Sequence, residues 1–278
     1  MSDAARAANL ISPVDLSAAL AAGQDVALLD VRHNSATDSA DPEAFRAGHL
    51  PGAQFVGIDE ALAGISTGGN GARPLPEPEV LEKRIRGWGI DTGTPVVVYG
   101  ATRSPAPARA WWVLRWAGVE SVRLLDGGLD GWTRHGGSLS TAETARPETG
   151  FVIRPGGLPT IDASDVPDVA GRGELLDARP AVKFSGSTDP GTGHIPGARN
   201  VPLTELFDVA GDLKDDAELR AVFGARGITA GSAPATYCGS GVAAALEVLG
   251  LALLDIPARL YVGSLSEWTA DPARRLDR

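Results

Sequence analysis

Leu28-Leu29-Asp30-Val31-Arg32 returns in the second half of the chain as Leu175-Leu176-Asp177-Ala178-Arg179. A second run, Gly48-His49-Leu50-Pro51-Gly52-Ala53, returns in the same order as Gly193-His194-Ile195-Pro196-Gly197-Ala198. A third run, Arg-Leu-Leu-Asp-Gly-Gly at residues 123–128 with Trp132 after it, corresponds to Arg-Leu-Tyr-Val-Gly-Ser at residues 259–264 with Trp268 after it. Collinear matches separated by about half of the chain indicate a duplicated domain, because solenoid repeats have much shorter periods.

Two domains of similar size follow from this duplication. We place the first domain, which has no cysteine, at residues 1–140 and the second at residues 159–278. The stretch between them, residues 136–160, is rich in Gly, Pro, Ser and Thr, and within it we assign residues 141–158 to the linker.

Each half alternates short apolar runs with helical patterns. In the first half we predict strands at residues 26–29, 95–99 and 122–125 and helices at residues 13–22, 78–87 and 106–117. Ser12 fits a helix N-cap, with Pro13 at the first helical position and Gly23 just beyond the end. Apolar strands separated by helices are typical of an α/β fold in which a parallel sheet has helices on both faces. We therefore predict two such domains in tandem.

Cys238, the single cysteine of the chain, is the candidate nucleophile. The loop that carries it, Cys238-Gly239-Ser240-Gly241-Val242-Ala243, lies between a short apolar run and a stretch that predicts a helix. Strand-to-helix loops of parallel sheets carry binding sites, and unpaired N–H groups at a helix start favour negative charge on sulfur. The loop is thus predicted to cradle a thiolate. The matching loop of the first half has Gly100 instead of cysteine, so the first domain is expected to form one wall of a cleft.

The composition restricts the partners. A formal net charge of -10 would repel a nucleic-acid backbone, and the sequence has no basic stripe with interleaved aromatic residues. The most apolar stretch, residues 242–256, is too short to cross a bilayer and should be a core helix. One cysteine and four scattered histidines provide no metal-ligand spacing, so we expect neither metal nor cofactor. With no signal-peptide pattern at the N-terminus, we predict a cytoplasmic protein without nucleic-acid or membrane partners.

Together these motifs resemble the tandem-domain rhodanese family of sulfurtransferases, which includes thiosulfate sulfurtransferase and 3-mercaptopyruvate sulfurtransferase. The resemblance rests on the Cys238 loop, on the Gly-His run in both halves, and on residues 125–128 with their following tryptophan. It implies that the Cys238 thiolate takes a sulfane sulfur from a small anionic donor and becomes a persulfide. The sulfur then passes to cyanide or to a thiol acceptor, such as a thioredoxin-like protein. Covalent transfer of this kind uses converging backbone donors, which Gly239 and Gly241 would allow.

The resemblance also implies donor-binding positions, and at several of them this chain departs from the family. The arginine–aromatic pair of the family corresponds to Lys183-Phe184, and the second arginine of the mercaptopyruvate type falls on Gly191. Asp59 corresponds to the family's aspartate after the first Gly-His run, whereas Arg73 replaces an expected histidine. We expect Lys183, Arg179, Arg73 and Asp59 to contribute to donor binding, with Arg179 also held in a buried ion pair by Asp177.

The identity of the donor depends on these departures. Ser240 matches the mercaptopyruvate-type loop, but the serine–histidine–aspartate relay of that type lacks its histidine. A small dianion can be held by loop amides and Lys183, so we predict thiosulfate as the donor and keep 3-mercaptopyruvate as the alternative. A non-catalytic sulfur carrier or binding module with the same fold is a further alternative. Phosphatases of this fold need an arginine six positions after the cysteine, where this chain has Ala244.

His49 and His194 occupy the same position of the Gly-His run in the two halves. Since one of them lies in the half without a cysteine, we interpret both as structural residues that fix a turn through side-chain hydrogen bonds.

Overall fold

The computed structural model describes residues 2–34, 36–187 and 193–278. The first half forms a parallel sheet of five strands in the order β1, β7, β6, β2, β5. These strands are β1 Leu10–Ile11, β2 Ala27–Asp30, β5 Ala53–Phe55, β6 Val96–Tyr99 and β7 Val122–Leu125. The three strands predicted from the sequence are therefore confirmed to within one or two residues.

Among the described residues, six α-helices accompany this sheet, together with a π-helical turn at Ile58–Leu62. They are α1 Ser2–Asn9, α2 Pro13–Ala21, α3 Pro42–Ala47, α4 Pro78–Gly87, α5 Ala106–Trp116 and α6 Gly128–Arg134. The predicted start of α2 is confirmed, because the Ser12 side chain accepts a hydrogen bond from Asp15 N at 3.0 Å and Pro13 follows the cap. Gly23 lies just past the end with φ +72°, a conformation that favours glycine.

The second half repeats this architecture with a smaller parallel sheet in the order β11, β10, β8, β9. Its strands are β8 Leu175–Asp177, β9 Arg199–Asn200, β10 Ala235–Tyr237 and β11 Arg259–Leu260. Its helices are α7 Val166–Gly171, α8 Ala181–Phe184, α9 Asp216–Gly224, α10 Ala243–Leu253 and α11 Ser264–Trp268. Helix α10 is the core helix that the apolar stretch predicted.

Apolar clusters cover both faces of the sheets, as the fold class requires. On β6, Val97 and Tyr99 pack in an outer cluster with Leu16 of α2, whereas Val96 and Val98 face an inner cluster. The inner cluster continues into the second domain through α5 and α10, which pack against each other. The loops at the carboxyl ends of the two sheets consequently face a shared cleft.

One element departs from the all-parallel expectation. His33–Asn34 (β3) and Ser39–Ala40 (β4) form a short antiparallel pair beyond the end of β2. The excursion carries His33 and Asp38 out of the sheet and over the cleft.

The duplicated motifs build the same supports in both domains. Arg32 Nη2 lies 2.9 Å from Asp30 Oδ2, and Arg179 Nη2 lies 2.6 Å from Asp177 Oδ2. Both arginines also donate to the carbonyl of the glycine that begins the Gly-His run, Gly48 or Gly193.

The two histidines of these runs fix turns, as predicted. His49 Nδ1 lies 2.8 Å from the Phe45 carbonyl oxygen and His194 Nδ1 lies 3.0 Å from that of Phe184. His49 also stacks on the ring of Phe45, at a centroid separation of 3.9 Å, and His194 stacks on the ring of Phe184, at 3.8 Å.

Residues 141–158 contain no helix or strand, yet they pack along the first domain. Phe151 is buried, and Arg154 N donates to the Ala117 carbonyl at 2.9 Å.

Among the helices in the described part of the chain, none has both the length and the apolar character needed to cross a membrane.

Candidate active site

Cys238 directly follows β10 and precedes α10, so it lies at the carboxyl edge of the second sheet. Its side chain is buried, with 2% of the residue exposed, and Gly241 N lies 3.1 Å from Sγ, to which it donates a hydrogen bond. The N–H groups of Gly239, Ser240 and Val242 have no protein acceptor within residues 2–34, 36–187 and 193–278. The loop therefore offers further donors to an anion on or beyond Sγ.

Gly241 is the residue on which this loop conformation depends. Its φ is +78°, and a Cβ atom there would lie 2.4 Å from the Val262 carbonyl oxygen. An L-amino acid side chain is thus excluded both by backbone conformation and by space.

The turn that starts α11 supports the Cys238 loop through the side chain of Ser264. Ser264 Oγ accepts a hydrogen bond from Cys238 N at 3.2 Å and donates one to the Tyr261 carbonyl at 2.9 Å. Ser264 adopts φ +53°, and Gly128 at the matching position of the first domain adopts φ +56°. A serine in a backbone conformation suited to glycine is strained, and here its hydroxyl fixes the backbone of the nucleophile.

Arg73 reaches from the first domain to the Cys238 loop. Its Nη1 lies 3.3 Å from Ser240 Oγ, and its Nε lies 2.6 Å from Asp59 Oδ1. Asp38 also pairs with it, at 3.1 Å between Nη2 and Oδ1. The hydrogen bond that Arg73 donates to Asp59 raises the pKa of Arg73, so this guanidinium keeps its proton. Arg73 therefore connects Ser240 to Asp59, the two residues that a histidine would connect in the relay implied by the resemblance.

A cavity of about 510 Å³ lies over the Cys238 loop, between the two domains. The second domain contributes residues 178–180, 202–204 and 238–240 with Val242 and Ala243, and the first domain contributes residues 101–106 with His33, Asp38 and Arg73. The loop of the first half that lacks a cysteine thus forms one wall of the cleft, as its sequence predicted.

The predicted donor-binding residues are only partly brought together. Arg73 and Arg179 line the cavity, and Asp59 lies behind Arg73. The Arg179 guanidinium is engaged by Asp177 and by the Gly193 carbonyl. Lys183 lies on α8 with an exposed side chain and is outside the cavity lining. Gly191, where the second arginine of the mercaptopyruvate type would fall, lies outside the described residues.

His33, Asp38, Thr102 and Arg103 line the cavity, and none of them was named from the sequence as a candidate site residue. His33 and Asp38 come from the β3–β4 excursion, where His33 Nε2 lies 3.0 Å from Asp38 Oδ1. Thr102 and Arg103 follow Gly100 in the matching loop of the first half, and Arg103 adopts φ +61°. The only sequence signal for the second pair was their position in the loop equivalent to that of Cys238.

Glu247 of α10 is fully buried behind the site, and its two carboxylate oxygens have no hydrogen-bond partner in the described part of the chain. Burial, with the charges of Asp177 and Cys238 as smaller causes, raises its pKa well above the ordinary 4.5. The carboxyl group therefore keeps its proton to a higher pH in the folded protein than in the unfolded chain.

We expect Glu247→Gln to remove the contribution that Glu247 makes to the pH dependence of the free energy of unfolding. Above pH 4.5 the unfolded chain loses the Glu247 proton while the folded chain retains it. The free energy of unfolding should therefore fall as pH rises, by up to about 1.4 kcal/mol per pH unit. Urea denaturation of wild type and Glu247→Gln at several pH values above 4.5 measures the difference in slope. Glu120→Gln, a change at an exposed glutamate, is the control. Identical slopes in wild type and Glu247→Gln would contradict the assignment.

Comparison with known proteins agrees with this architecture. The family model described as a rhodanese-like domain matches residues 12–135 and 162–271. The chain is 39% identical over 284 residues to SseB of Mycobacterium tuberculosis, which is assigned provisionally as a thiosulfate sulfurtransferase; the match covers 99% of this chain and 98% of that one. It is also 39% identical over 231 residues to the 3-mercaptopyruvate sulfurtransferase of Escherichia coli, covering 80% and 81% of the two chains.

A solved structure shows the same fold across nearly the whole chain. The crystal structure of SseA from Escherichia coli, a 3-mercaptopyruvate sulfurtransferase, matches with a TM-score of 0.81 and 34% identity. The match covers 92% of this chain and 98% of that chain.

Proposed function

The chain belongs to the rhodanese family of sulfurtransferases, and from this premise we propose that it moves a sulfane sulfur from thiosulfate, through a persulfide on Cys238, to cyanide or a thiol. The observation that carries the choice of donor is Arg73, which stands between Ser240 and Asp59 where a proton relay would need a histidine. The similarity of SseB over the whole chain supports the same donor.

Transfer from thiosulfate needs no proton. The Cys238 thiolate attacks the outer sulfur of thiosulfate, a new S–S bond forms, and the S–S bond of the donor breaks with its electron pair leaving on sulfite. Cyanide then attacks the terminal sulfur of the persulfide, and the Cys238 S–S bond breaks to give thiocyanate and the original thiolate. Both steps conserve charge, and each requires only that an anion on sulfur be stabilised.

Transfer from 3-mercaptopyruvate makes a different demand. Its C–S bond breaks with the electron pair remaining on carbon, so the pyruvate enolate must take up the proton that the donor's thiol gives up. A group that releases and accepts protons near neutral pH assists such a step. Arg73 is a poor candidate for this role, because its ion pair with Asp59 raises its pKa further.

The cavity has charges suited to an anionic donor. Arg73, Arg103 and Arg179 line it together with the loop of Cys238, and among the described lining residues Asp38 is the one carboxylate. Asp59 and Asp177, which pair with Arg73 and Arg179, lie outside the lining. Cationic side chains and loop amides that converge on a small space bind an oxyanion without requiring a bidentate fork. In this proposal Lys183 acts from the rim, because its side chain lies outside the lining.

A thiol acceptor, such as a thioredoxin-like protein, would enter through the same opening as the donor. We place the reaction in the cytoplasm, because a reducing compartment keeps the single cysteine available as a thiolate.

Steady-state kinetics with the two donors tests the proposal. With cyanide as acceptor, we expect kcat/KM for thiosulfate to exceed that for 3-mercaptopyruvate. The opposite order would overturn the choice of donor and leave the sulfurtransferase assignment intact.

Arg73→Met is expected to lower kcat/KM for thiosulfate by about tenfold, the effect of losing one hydrogen bond to a charged group. The substitution also removes the guanidinium that pairs with Asp38 and Asp59, so these carboxylates would repel a dianion more strongly. Lys183→Ala is the control, since it removes an exposed cation outside the lining and should change kcat/KM less. Equal effects of the two variants would contradict the role given to Arg73.

One observation favours 3-mercaptopyruvate as a second candidate donor. His33, held by Asp38, lines the cavity, and histidine is the side chain that most often serves as a general acid or base. If it replaces the missing histidine, His33→Gln should lower kcat with 3-mercaptopyruvate by about a hundredfold and leave kcat with thiosulfate nearly unchanged. Parallel assays with both donors decide this, and an equal change with each donor would exclude the proton-transfer role.

A further inference from the structure

Arg109 lies on α5 of the first domain and is completely buried. Its guanidinium donates to the backbone carbonyls of Leu62, Arg73 and Pro74 in its own domain, at distances of 3.0 to 3.4 Å. Its Nη1 crosses to the second domain and lies 3.3 Å from the Gly241 carbonyl oxygen. Arg109 is therefore a direct contact between the domain without a cysteine and the loop that carries Cys238.

No carboxylate among the described residues pairs with this guanidinium. All acceptors of Arg109 within residues 2–34, 36–187 and 193–278 are neutral backbone carbonyls. Burial lowers its pKa to about 10, while the negative charge of ionised Cys238 acts in the opposite direction. Arg109 is thus still protonated at neutral pH, as a buried cation on which the negative charge of the sulfur acts favourably.

The hydrogen bond from Arg109 to the Gly241 carbonyl affects the Cys238 sulfur through the two peptide groups on either side of Gly241. Gly241 N–H is the donor to Cys238 Sγ, so fixing Gly241 also fixes that hydrogen bond. The Gly241 carbonyl belongs to the same peptide group as Val242 N–H, one of the loop donors without a protein acceptor. A cation on the carbonyl oxygen polarises this peptide and strengthens its N–H as a donor.

The other charged groups around the loop do not cancel this cation. Glu247 occupies the matching position on α10, nine residues after Cys238 as Arg109 is nine residues after Gly100, and burial raises its pKa and favours its uncharged form. Asp177 is paired with Arg179, and Arg73 is paired with Asp59 and Asp38. Arg109 is consequently the buried charge near Cys238 that no carboxylate neutralises in the described residues.

We propose that Arg109 is a positioning residue of the reaction, which stabilises the thiolate and the persulfide anion of Cys238 across the domain interface. The first domain then contributes to the chemistry as well as to the wall of the cleft. This inference rests on the proposed persulfide at Cys238, and it assigns the stabilising cation to a residue outside the cavity lining.

The test is the pH dependence of alkylation of Cys238 by iodoacetamide, which is specific because the chain has one cysteine. In Arg109→Met we expect the midpoint of the rate profile to move up by about one pH unit, the size of effect that a nearby opposite charge produces. Turnover of thiosulfate and cyanide near neutral pH should fall by about tenfold. Arg109→Lys keeps the charge, so the midpoint of its rate profile should lie close to that of wild type.

Arg115→Met is the matched control, because Arg115 is a half-buried arginine of the same helix that contacts Asn9 instead of the loop. Its alkylation profile should coincide with that of wild type. If Arg109→Met does not fold by circular dichroism, Arg109→Lys carries the test, and a full-unit shift in that charged variant would overturn the inference.

A folded Arg109→Met with the wild-type alkylation profile would also overturn it, and so would an equal shift in Arg115→Met. Alkylation does not require sulfur transfer, so these results are independent of the proposed function. That function fails separately, if the wild-type enzyme does not load sulfur on Cys238.

Discussion

Cys238→Ser is expected to reduce sulfur transfer from thiosulfate to cyanide to below about a thousandth of the wild-type rate, a loss typical of removing a nucleophile. A serine hydroxyl does not ionise near neutral pH, and it has no route to a stable bond with a sulfane sulfur. Thiocyanate formation measures the effect.

The fold should survive this change. The serine oxygen is smaller than sulfur and accepts the same hydrogen bond from Gly241 N, so circular dichroism and the thermal midpoint should stay close to wild type. Ser240→Ala is the matched control, because it removes a neighbouring hydroxyl from the same loop and leaves the nucleophile in place. Retained transfer in Cys238→Ser would exclude the persulfide mechanism.

Gly241→Ala is expected to lower kcat by about a hundredfold or more, the effect of losing a preorganised backbone donor to an anion. The new methyl group would lie 2.4 Å from the Val262 carbonyl oxygen in a residue with φ +78°, so the loop has to shift. The same strain should reduce the free energy of unfolding by roughly 1–2 kcal/mol.

Gly239→Ala makes the same chemical change two residues earlier and serves as the control. Among the described residues other than its chain neighbours, none has an atom within 4 Å of a Cβ at Gly239, and Gly239 is exposed. Its activity and stability should stay close to wild type. Equal losses in the two variants would show that alanine disrupts this loop at either position. The left-handed conformation of Gly241 would then not be the cause.

Much of this fold could be predicted from local features of the sequence. The cap at Ser12 and the continuous apolar run of β6 place α2 and β6 to within a residue, because capping and burial are local properties. The repeated Gly-His runs indicated the duplication, and their occurrence in the half without a cysteine indicated that His49 and His194 are structural.

The remaining site residues could not be predicted, because they reach the cleft through tertiary packing. His33 is carried over the cleft by the short β3–β4 pair, for which the sequence has no strong strand signal. Arg109 lies within a mostly apolar helical pattern, and a charged residue there gives no sign of which loop it contacts. Lys183 was placed by analogy with a motif, whereas its exposure depends on how the one-turn helix α8 is oriented.

Intact-protein mass spectrometry tests the central claim, that Cys238 carries the transferred sulfur, most directly. The wild-type chain is incubated with thiosulfate or, separately, with 3-mercaptopyruvate, and then with cyanide. We predict a gain of one sulfur atom with thiosulfate, its complete removal by cyanide, and no gain in Cys238→Ser. Absence of the added sulfur with both donors, or the same gain in Cys238→Ser, would contradict the account.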